Sequence, residues 1–261
     1  MLRRRTRNAR SAATAQLSRV APLRHAIDHH EVQVVFQPVV SLSDRRTVGY
    51  EALARLGEGR DLPGPWFRLA REMGVSADLE RTCLVAISEI GLPPDDGLLF
   101  VNASAATLID PDVQDLCLPM ASRLVVELTE HEHIESYEEL RPSLERWSSR
   151  GVRLAVDDTG AGHSSLRHVL ELAPHFLKLD QTVVAGLHEH AARRALIAAL
   201  VTFAEDVGTT IIAEGVEKRE EADALCDAGV HLGQGFAFGR PHPAWRPAVW
   251  PLEPAPTTAC G

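Results

Sequence analysis

Residues 153–162 read RLAVDDTGAG, an apolar run that ends on two adjacent aspartates, Asp157 and Asp158, before a glycine-containing loop. Two carboxylates this close repel, and burial raises the cost. Such a pair is either a solvated strand end, with one Asp opening a turn, or part of a cation site. Other residues of the same kind bear on the choice. Glu51, Asn102, Glu127, Lys178 with Asp180, Glu214 and Gln234 each stand at or near the end of a short apolar run, and Glu130 and Glu217 lie just beyond two of those ends. Singly, each has a plainer explanation. Asn102-Ala103-Ser104 could begin a helix, Glu130 could favour a helix N-terminus, and Lys178 with Asp180 could be a surface pair of little worth. Their repetition at run ends favours a shared site. Carboxylates with an amide, and no cysteine or histidine, are hard oxygen donors that suit Mg2+ or Mn2+ better than Zn2+. Adjacent aspartates could serve two ions, and two ions about 3.5–4 Å apart are a common device for phosphoester cleavage. Lysine is itself a signal: of 27 Lys and Arg residues only Lys178 and Lys218 are lysines. Where Arg is the habitual cation, a Lys can mark a need for a compact ammonium.

The runs themselves lie at 34–40, 47–53, 98–104, 124–130, 152–158, 176–180, 210–216 and 232–238. They are rich in Val, Ile, Leu or Phe and read as strands buried on both faces. Helix-like stretches separate them. The stretch 192–208 puts Leu196, Ala199, Leu200 and Phe203 on one face and stops at Gly208, 217–229 stops at Gly229, and 137–151 stops at Gly151, with Pro142 marking a first turn or a break. Alternating strands and helices imply βαβ units and a mainly parallel sheet. The expected fold is a (β/α)8 TIM-type barrel of the α/β class, with a doubly wound open sheet as the alternative. The link between the first two runs is too short for a parallel crossover, so the first strand should be antiparallel. Pro38 also keeps that strand from being an ordinary central one. In a parallel barrel the C-terminal strand ends share one rim, which would gather the polar residues above. One domain is expected over 25–250, between an Arg-rich flexible tail at 1–24 and a Pro-rich flexible tail at 251–261.

With 45% hydrophobic and 24% charged residues over 261 positions, the chain is of ordinary soluble globular type and long enough to bury a substantial core. The net charge of −9 is uneven: residues 1–24 hold seven Arg and no acid, leaving 20 basic against 36 acidic residues, a formal −16, in the rest. An acidic body is a poor binder of polymeric nucleic acid, and a phosphate compound would need local help such as metal ions. No run approaches the roughly 18–20 apolar residues of a membrane span, and the Arg-rich start lacks the apolar stretch of a secretory signal. The cysteines at 83, 117, 226 and 260 form no C-x-x-C pair and read as free thiols in a reducing compartment, so a cytoplasmic location is expected. His29-His30 and His131-Glu132-His133 lack the helical H-E-x-x-H spacing of a transition-metal site.

Seven ordered blocks, GYEALAR, FVNAS, VVELTE, LAVDDTGAGHSSL, FLKLD, IIAEGVE and QGFAFGRP, lie within about residues 25–243. Together they resemble the EAL domain of bacterial cyclic-di-GMP phosphodiesterases, whose defining triplet is here Glu51-Ala52-Leu53. The resemblance implies a modified (β/α)8 barrel with an antiparallel first strand, two divalent cations (Mg2+ or Mn2+), and hydrolysis of cyclic di-GMP to linear pGpG. It implies Glu51, Asn102, Glu127, Asp157 and Asp158 as metal ligands, with Asp158 bridging, and Asp180, Glu214 and Glu217 as further members of the metal and water shell. Lys178 would orient the attacking water or help deprotonate it, and Gln234 would contact a water or the metal shell. Gln37 and Arg55 would contact substrate, Arg55 at a phosphate. Glu130 would anchor the loop after Asp158, which would link the site to a homodimer interface. That loop departs from the family pattern: where members commonly read DDFGTGYSSL, Thr159, Ala161 and His163 stand for Phe, Thr and Tyr. Losing the Phe anchor and the Thr hydroxyl would loosen the loop. The alternative is therefore a catalytically weak or inactive receptor that binds cyclic di-GMP and signals through a protein partner. An interaction scaffold would need none of the ligand set. Regulation is expected from a separate protein, the dimer interface or expression level.

Overall fold

The computed structural model describes residues 20–57, 63–128, 134, 136–159 and 164–250, with the side chains of 158–166 outside the description. Eight strands, β1 (Gln33–Ser41), β2 (Arg46–Arg55), β3 (Leu98–Ala103), β4 (Leu124–Leu128), β5 (Arg153–Thr159), β6 (Phe176–Leu179), β7 (Thr210–Ala213) and β8 (Leu232–Gln234), close a barrel in sequence order. The strands from β2 to β8 pair in parallel. β1 is antiparallel to both its neighbours, β2 and β8. The barrel with a reversed first strand is therefore the architecture, and the open sheet is excluded. Pro38 lies opposite Tyr50 in β1 and one residue short of the β8 ladder, which spans Val39–Ser41.

The described helices are α1 over 20–29, α2 (Gly64–Met73), α3 (Ser76–Ile90), α4 (Ala105–Ile109), α5 (Pro111–Cys117), α6 (Tyr137–Ser149), α7 (Ser164–Leu172), α8 (Gln181–Val184), α9 (Ala191–Val207) and α10 (Arg219–Asp227). Apolar residues on the outer faces of the strands pack beneath them. Val101, Val126 and Leu154 join Leu108, Leu140 and Trp147 on one side, while Leu177, Leu179 and Ile211 join Ile197, Val201 and Leu225 on the other.

Inside the barrel the period-2 alternation of a strand builds two stacked layers. Val39, Phe100, Val125, Ala155, Phe176 and Ile212 form a buried apolar plug. Two residues nearer the rim come Gln37, Asn102, Glu127, Asp157 and Lys178 on the same strands and Glu214 just past the end of β7. The apolar plug closes the barrel below and the polar layer sits on it.

Several expectations need correction. β7 and β8 stop at Ala213 and Gln234, short of the apolar runs that continue past them, and the end of the run that forms β4, beyond Leu128, lies outside the described residues. After β7 and β8 the two chains turn and bond to each other, Val216 N donating to Gln234 O at 3.0 Å and Ala237 N to Val216 O at 2.9 Å. The inner face of α9 is Ile197, Val201 and Ala204, whereas Leu196 is 48% exposed. α6 runs through Pro142 without a break, starting at the Ser136 cap. α1 takes in the last residues of the segment read as a tail, with Leu23 fully buried among Trp66, Leu69 and Leu79. The Pro-rich segment 251–261 lies outside the described residues.

Candidate active site

Lys178 is the centre of the polar layer and is 1% exposed, so the surface-pair reading of this lysine is wrong. Its Nζ lies 2.6 Å from Glu214 Oε1, 2.9 Å from Glu127 Oε2, 3.5 Å from Asp157 Oδ1 and 3.7 Å from Glu51 Oε1. Four strands or strand ends thus deliver carboxylates onto a fifth strand's ammonium. Amides frame the cluster: Asn102 Nδ2 donates to Glu51 Oε1 at 3.0 Å and Gln234 Nε2 to Glu51 Oε2 at 2.6 Å. Gln234 Nε2 also reaches Gln37 Oε1 at 3.3 Å, and Gln37 Nε2 donates to Gly239 O at 3.1 Å.

One ammonium cannot neutralise four carboxylates, and the acidities show the strain. Burial pushes the Glu127 carboxyl well above its ordinary range, and the charges of Glu51, Asp157 and Glu214 add to this against the pull of Lys178. Burial likewise raises Glu214 to about 8, with Lys178 opposing and Asp157 and Glu51 adding. Glu51 is also penalised by burial, yet Lys178 and the amides of Gln234 and Asn102 outweigh it and hold this carboxyl below its usual value. For Lys178, burial works against the charge, but Asp157, Glu127, Glu214 and Glu51 together hold it well above the ordinary lysine value.

The other expected site residues fall into place unevenly. Glu217 is exposed and lines, with Gln37, Glu51, Glu214 and Gln234, a cavity of about 190 Å3 at the rim. Asp180 caps the short helix α8, its Oδ1 accepting from Thr182 N at 2.8 Å. Arg55 is half-buried at the end of β2, its Nη1 donating to Ala54 O at 2.9 Å. Asp158 belongs to β5, but its side chain lies outside the described residues, as do Glu130 and residues 160–163 of the altered loop. Sequence reasoning missed Glu80 of α3, whose Oε2 accepts from Ser104 N at 2.8 Å, from Ser104 Oγ at 2.7 Å and from Thr107 Oγ1. It pins the chain two residues beyond Asn102. Ser104 also caps α4 through Thr107 N, so the helix-start reading of that triplet holds beside the site reading.

Among the described residues no three His, Cys, Asp or Glu side chains are arranged to hold a metal ion, and the carboxylates close on Lys178 instead. The donor set nevertheless fits hard divalent cations. It is all oxygen, and buried Glu127 Oε1 and Gln234 Oε1 have no hydrogen-bond partner. A buried carboxylate oxygen in that condition is costly.

Comparison with known proteins bears on the same residues. The EAL domain profile matches residues 20–241. The chain belongs to the EAL domain family. EAL relatives include PdeL of Escherichia coli, a cyclic di-GMP phosphodiesterase, 27% identical over 84% of this chain and 64% of PdeL. They also include MucR of Pseudomonas aeruginosa, a bifunctional diguanylate cyclase/cyclic di-GMP phosphodiesterase, 30% identical over 89% of this chain and 36% of MucR. The chain spans 28–38% of the length of five further curated relatives. A manganese and cyclic-di-GMP complex of Klebsiella pneumoniae BlrP1 superposes with a TM-score of 0.76 at 28% identity, covering 85% of this chain and 58% of that one. No helix among the described residues is long and apolar enough to cross a membrane.

Proposed function

We propose that this EAL domain is a metal-dependent phosphodiesterase that hydrolyses cyclic di-GMP to linear pGpG. The observation that carries the reading is the excess of carboxylate around Lys178, with a buried Glu127 oxygen left without a partner. Glu51, Asn102, Glu127, Asp157 and Asp158 would hold two cations, Mg2+ or Mn2+, with Asp180, Glu214 and Glu217 in the surrounding shell. When bound, such ions neutralise the phosphodiester and lower the pKa of water.

The chain's own residues do the rest. Lys178, fixed between Glu127 and Glu214 at 2.9 and 2.6 Å, would hold the attacking water with its ammonium. An arginine's larger planar fork would not serve in the same space. Lys178 and two amide donors hold the Glu51 carboxyl below its usual value. Gln234 and Gln37 would face the ligand from the β8–β1 side, and Arg55 would take a phosphate from the end of β2. The reading includes a cytoplasmic homodimer, coupled to the site through the loop after Asp158 with Glu130 as its anchor, and a separate regulatory protein.

The test is product analysis with cyclic di-GMP and Mg2+ or Mn2+, beside a Glu51→Ala protein and a chelator control. Linear pGpG that vanishes in both controls supports the reading. Bound but intact cyclic di-GMP would make the chain a receptor, and no binding would sink both.

A further inference from the structure

His25 and His29 stand four residues apart on α1, the spacing of two histidine ligands on one helix face and the spacing that His29-His30 lacks. Their rings lie side by side on the exposed face, with centroids 4.2 Å apart. The end of α1 then folds back. His30 takes a left-handed φ of 54°, where glycine is usual. Glu31 N donates to Ala26 O at 2.9 Å and His30 N to Ile27 O at 3.4 Å, the paired bonds of a Schellman motif. Such a motif commonly packs an apolar residue at the Glu31 position against one at the Ala26 or His25 position. Here the contact is a carboxylate on an imidazole, Glu31 Oε2 lying 3.2 Å from His25 Nε2. The two side chains are 64% and 58% exposed, so as an ion pair they add little stability. Two further features suit a metal ion. His29 Nδ1–H donates to His25 O at 3.1 Å, the backbone bond that typically orients a ligating imidazole and leaves its Nε2 lone pair free. The 3.2 Å between His25 Nε2 and Glu31 Oε2 matches two donors sharing a tetrahedral zinc, about 3.3 Å apart for bonds of about 2.0 Å. Leu23 and Ala26 are buried ahead of the cluster and Val32 packs on the same core behind it, so the backbone carrying the donors is held before an ion arrives.

We propose that His25, His29 and Glu31 form a transition-metal site of the zinc class that staples the end of α1 to the link into β1. As the chain stands, no three described side chains converge on one point. The ion takes the place of the proton between His25 Nε2 and Glu31 Oε2, which leaves to the buffer, and a tilt of the exposed His29 ring brings in its Nε2 as the third donor. Water completes the tetrahedron. Two imidazoles and a carboxylate suit Zn2+, Cu2+ or Ni2+, whereas the all-oxygen rim suits Mg2+ or Mn2+, so the two sites select different ions. The bound ion joins helix residues to the first residue past the turn, and so resists fraying of the last turn of α1.

The experiment is calorimetric titration of Zn2+ into the full chain near neutral pH with Mg2+ in excess, with paramagnetic resonance of the Cu2+ form and amide hydrogen exchange beside it. Wild type should take up Zn2+, show nitrogen hyperfine structure from two imidazoles with Cu2+, and exchange the Glu31 amide more slowly once Zn2+ is bound. His29→Gln and Glu31→Gln, both at exposed positions, should melt with wild type in the absence of Zn2+. Each should lose Zn2+ affinity by at least the roughly 10–100-fold that removal of a mere supporting partner costs a metal site, and His29→Gln should lose one of the two nitrogens. If Zn2+ binds all three proteins alike, or binds none, the site is wrong and the residues form a helix-end ion pair only. If affinity falls in the variants but exchange at Glu31 does not respond to Zn2+ in wild type, the staple is overturned. None of these results bears on the phosphodiesterase reading, because none of the three residues belongs to the carboxylate cluster around Lys178.

Discussion

Replacing Lys178 with methionine removes the only positive charge among the described residues of the polar layer while roughly keeping the side chain's length. Each of its two shortest contacts, 2.6 Å to Glu214 and 2.9 Å to Glu127, represents roughly 6 kcal/mol of attraction at an effective dielectric of about 20. Most of that is offset by desolvation of the ammonium, and the stranded carboxylates can take up protons. The net loss should match the breaking of a buried ion pair, about 3–5 kcal/mol. For a chain of this size that is a fall in melting temperature on the order of 10 °C. The assay is thermal and urea denaturation of both proteins near pH 8 in EDTA, repeated with Mn2+. The loss should be largest in EDTA. Mn2+ should narrow the gap, because cations at about a hundred times their dissociation constant add roughly 2.7 kcal/mol to the state that binds them and would replace the missing charge. A Lys178→Met protein that melts with wild type in EDTA, or is indifferent to Mn2+, would refute this account of the site.

The same carboxylates set a pH dependence. Glu214 is raised from 4.5 to about 8 in the fold, so its contribution favours the folded state below about pH 4.5 and is lost as pH climbs towards 8; chelated wild type should therefore lose urea resistance across that window, and Glu214→Gln should flatten the slope. Glu80→Ala strips the three-donor clamp at Ser104 and should cost about 2–3 kcal/mol in urea denaturation; a loss under about 0.5 kcal/mol would mean the clamp is not stabilising. Burial pushes Cys83 and Cys117 up to about 12, while Cys226 is exposed. A native Cys260→Ser protein should thus release one equivalent of thiol quickly to dithionitrobenzoate and the other two only on unfolding.

The barrel was legible because its strand interiors are saturated with Val, Leu, Ile and Phe and because one link was too short to cross over. The site was legible for a related reason. Gln37, Glu51, Asn102, Glu127, Asp157, Lys178, Glu214 and Gln234 each break into one of the apolar runs, and Lys178 stands out in a chain that uses Arg at nearly every basic position. What failed was local. Strand lengths were overread after Ala213 and Gln234 because Val216 and Phe238, in the turns beyond, are as buried as strand residues. The inner face of α9 was misplaced by one position because Leu196, Ile197, Leu200 and Val201 put apolar groups on neighbouring stripes, and only packing against β7 chooses between them. Asp180 fits both a strand-end site residue and a helix cap, and composition cannot rank two local uses of one carboxylate. Glu80 left no trace at all: its partners are 24 and 27 residues away, and a glutamate in a helix fits a solvated face equally well.

The reversed first strand has a consequence for how this domain can be wired to others. Gln33, the first residue of β1, pairs with Arg55, the last residue of β2. The polypeptide therefore comes into the barrel from the carboxylate end, with α1 directly ahead of it. In an all-parallel barrel the leading chain arrives at the opposite pole, and a signal from there must cross the full height of the sheet. Here the link from α1 into β1 stands beside the mouth of the site. A small rotation of α1 would bear on Leu56, Trp66 and Leu79 and so on the β2 end that carries Arg55. Reversing one strand gives this domain a short mechanical path from an attached input to its carboxylate rim.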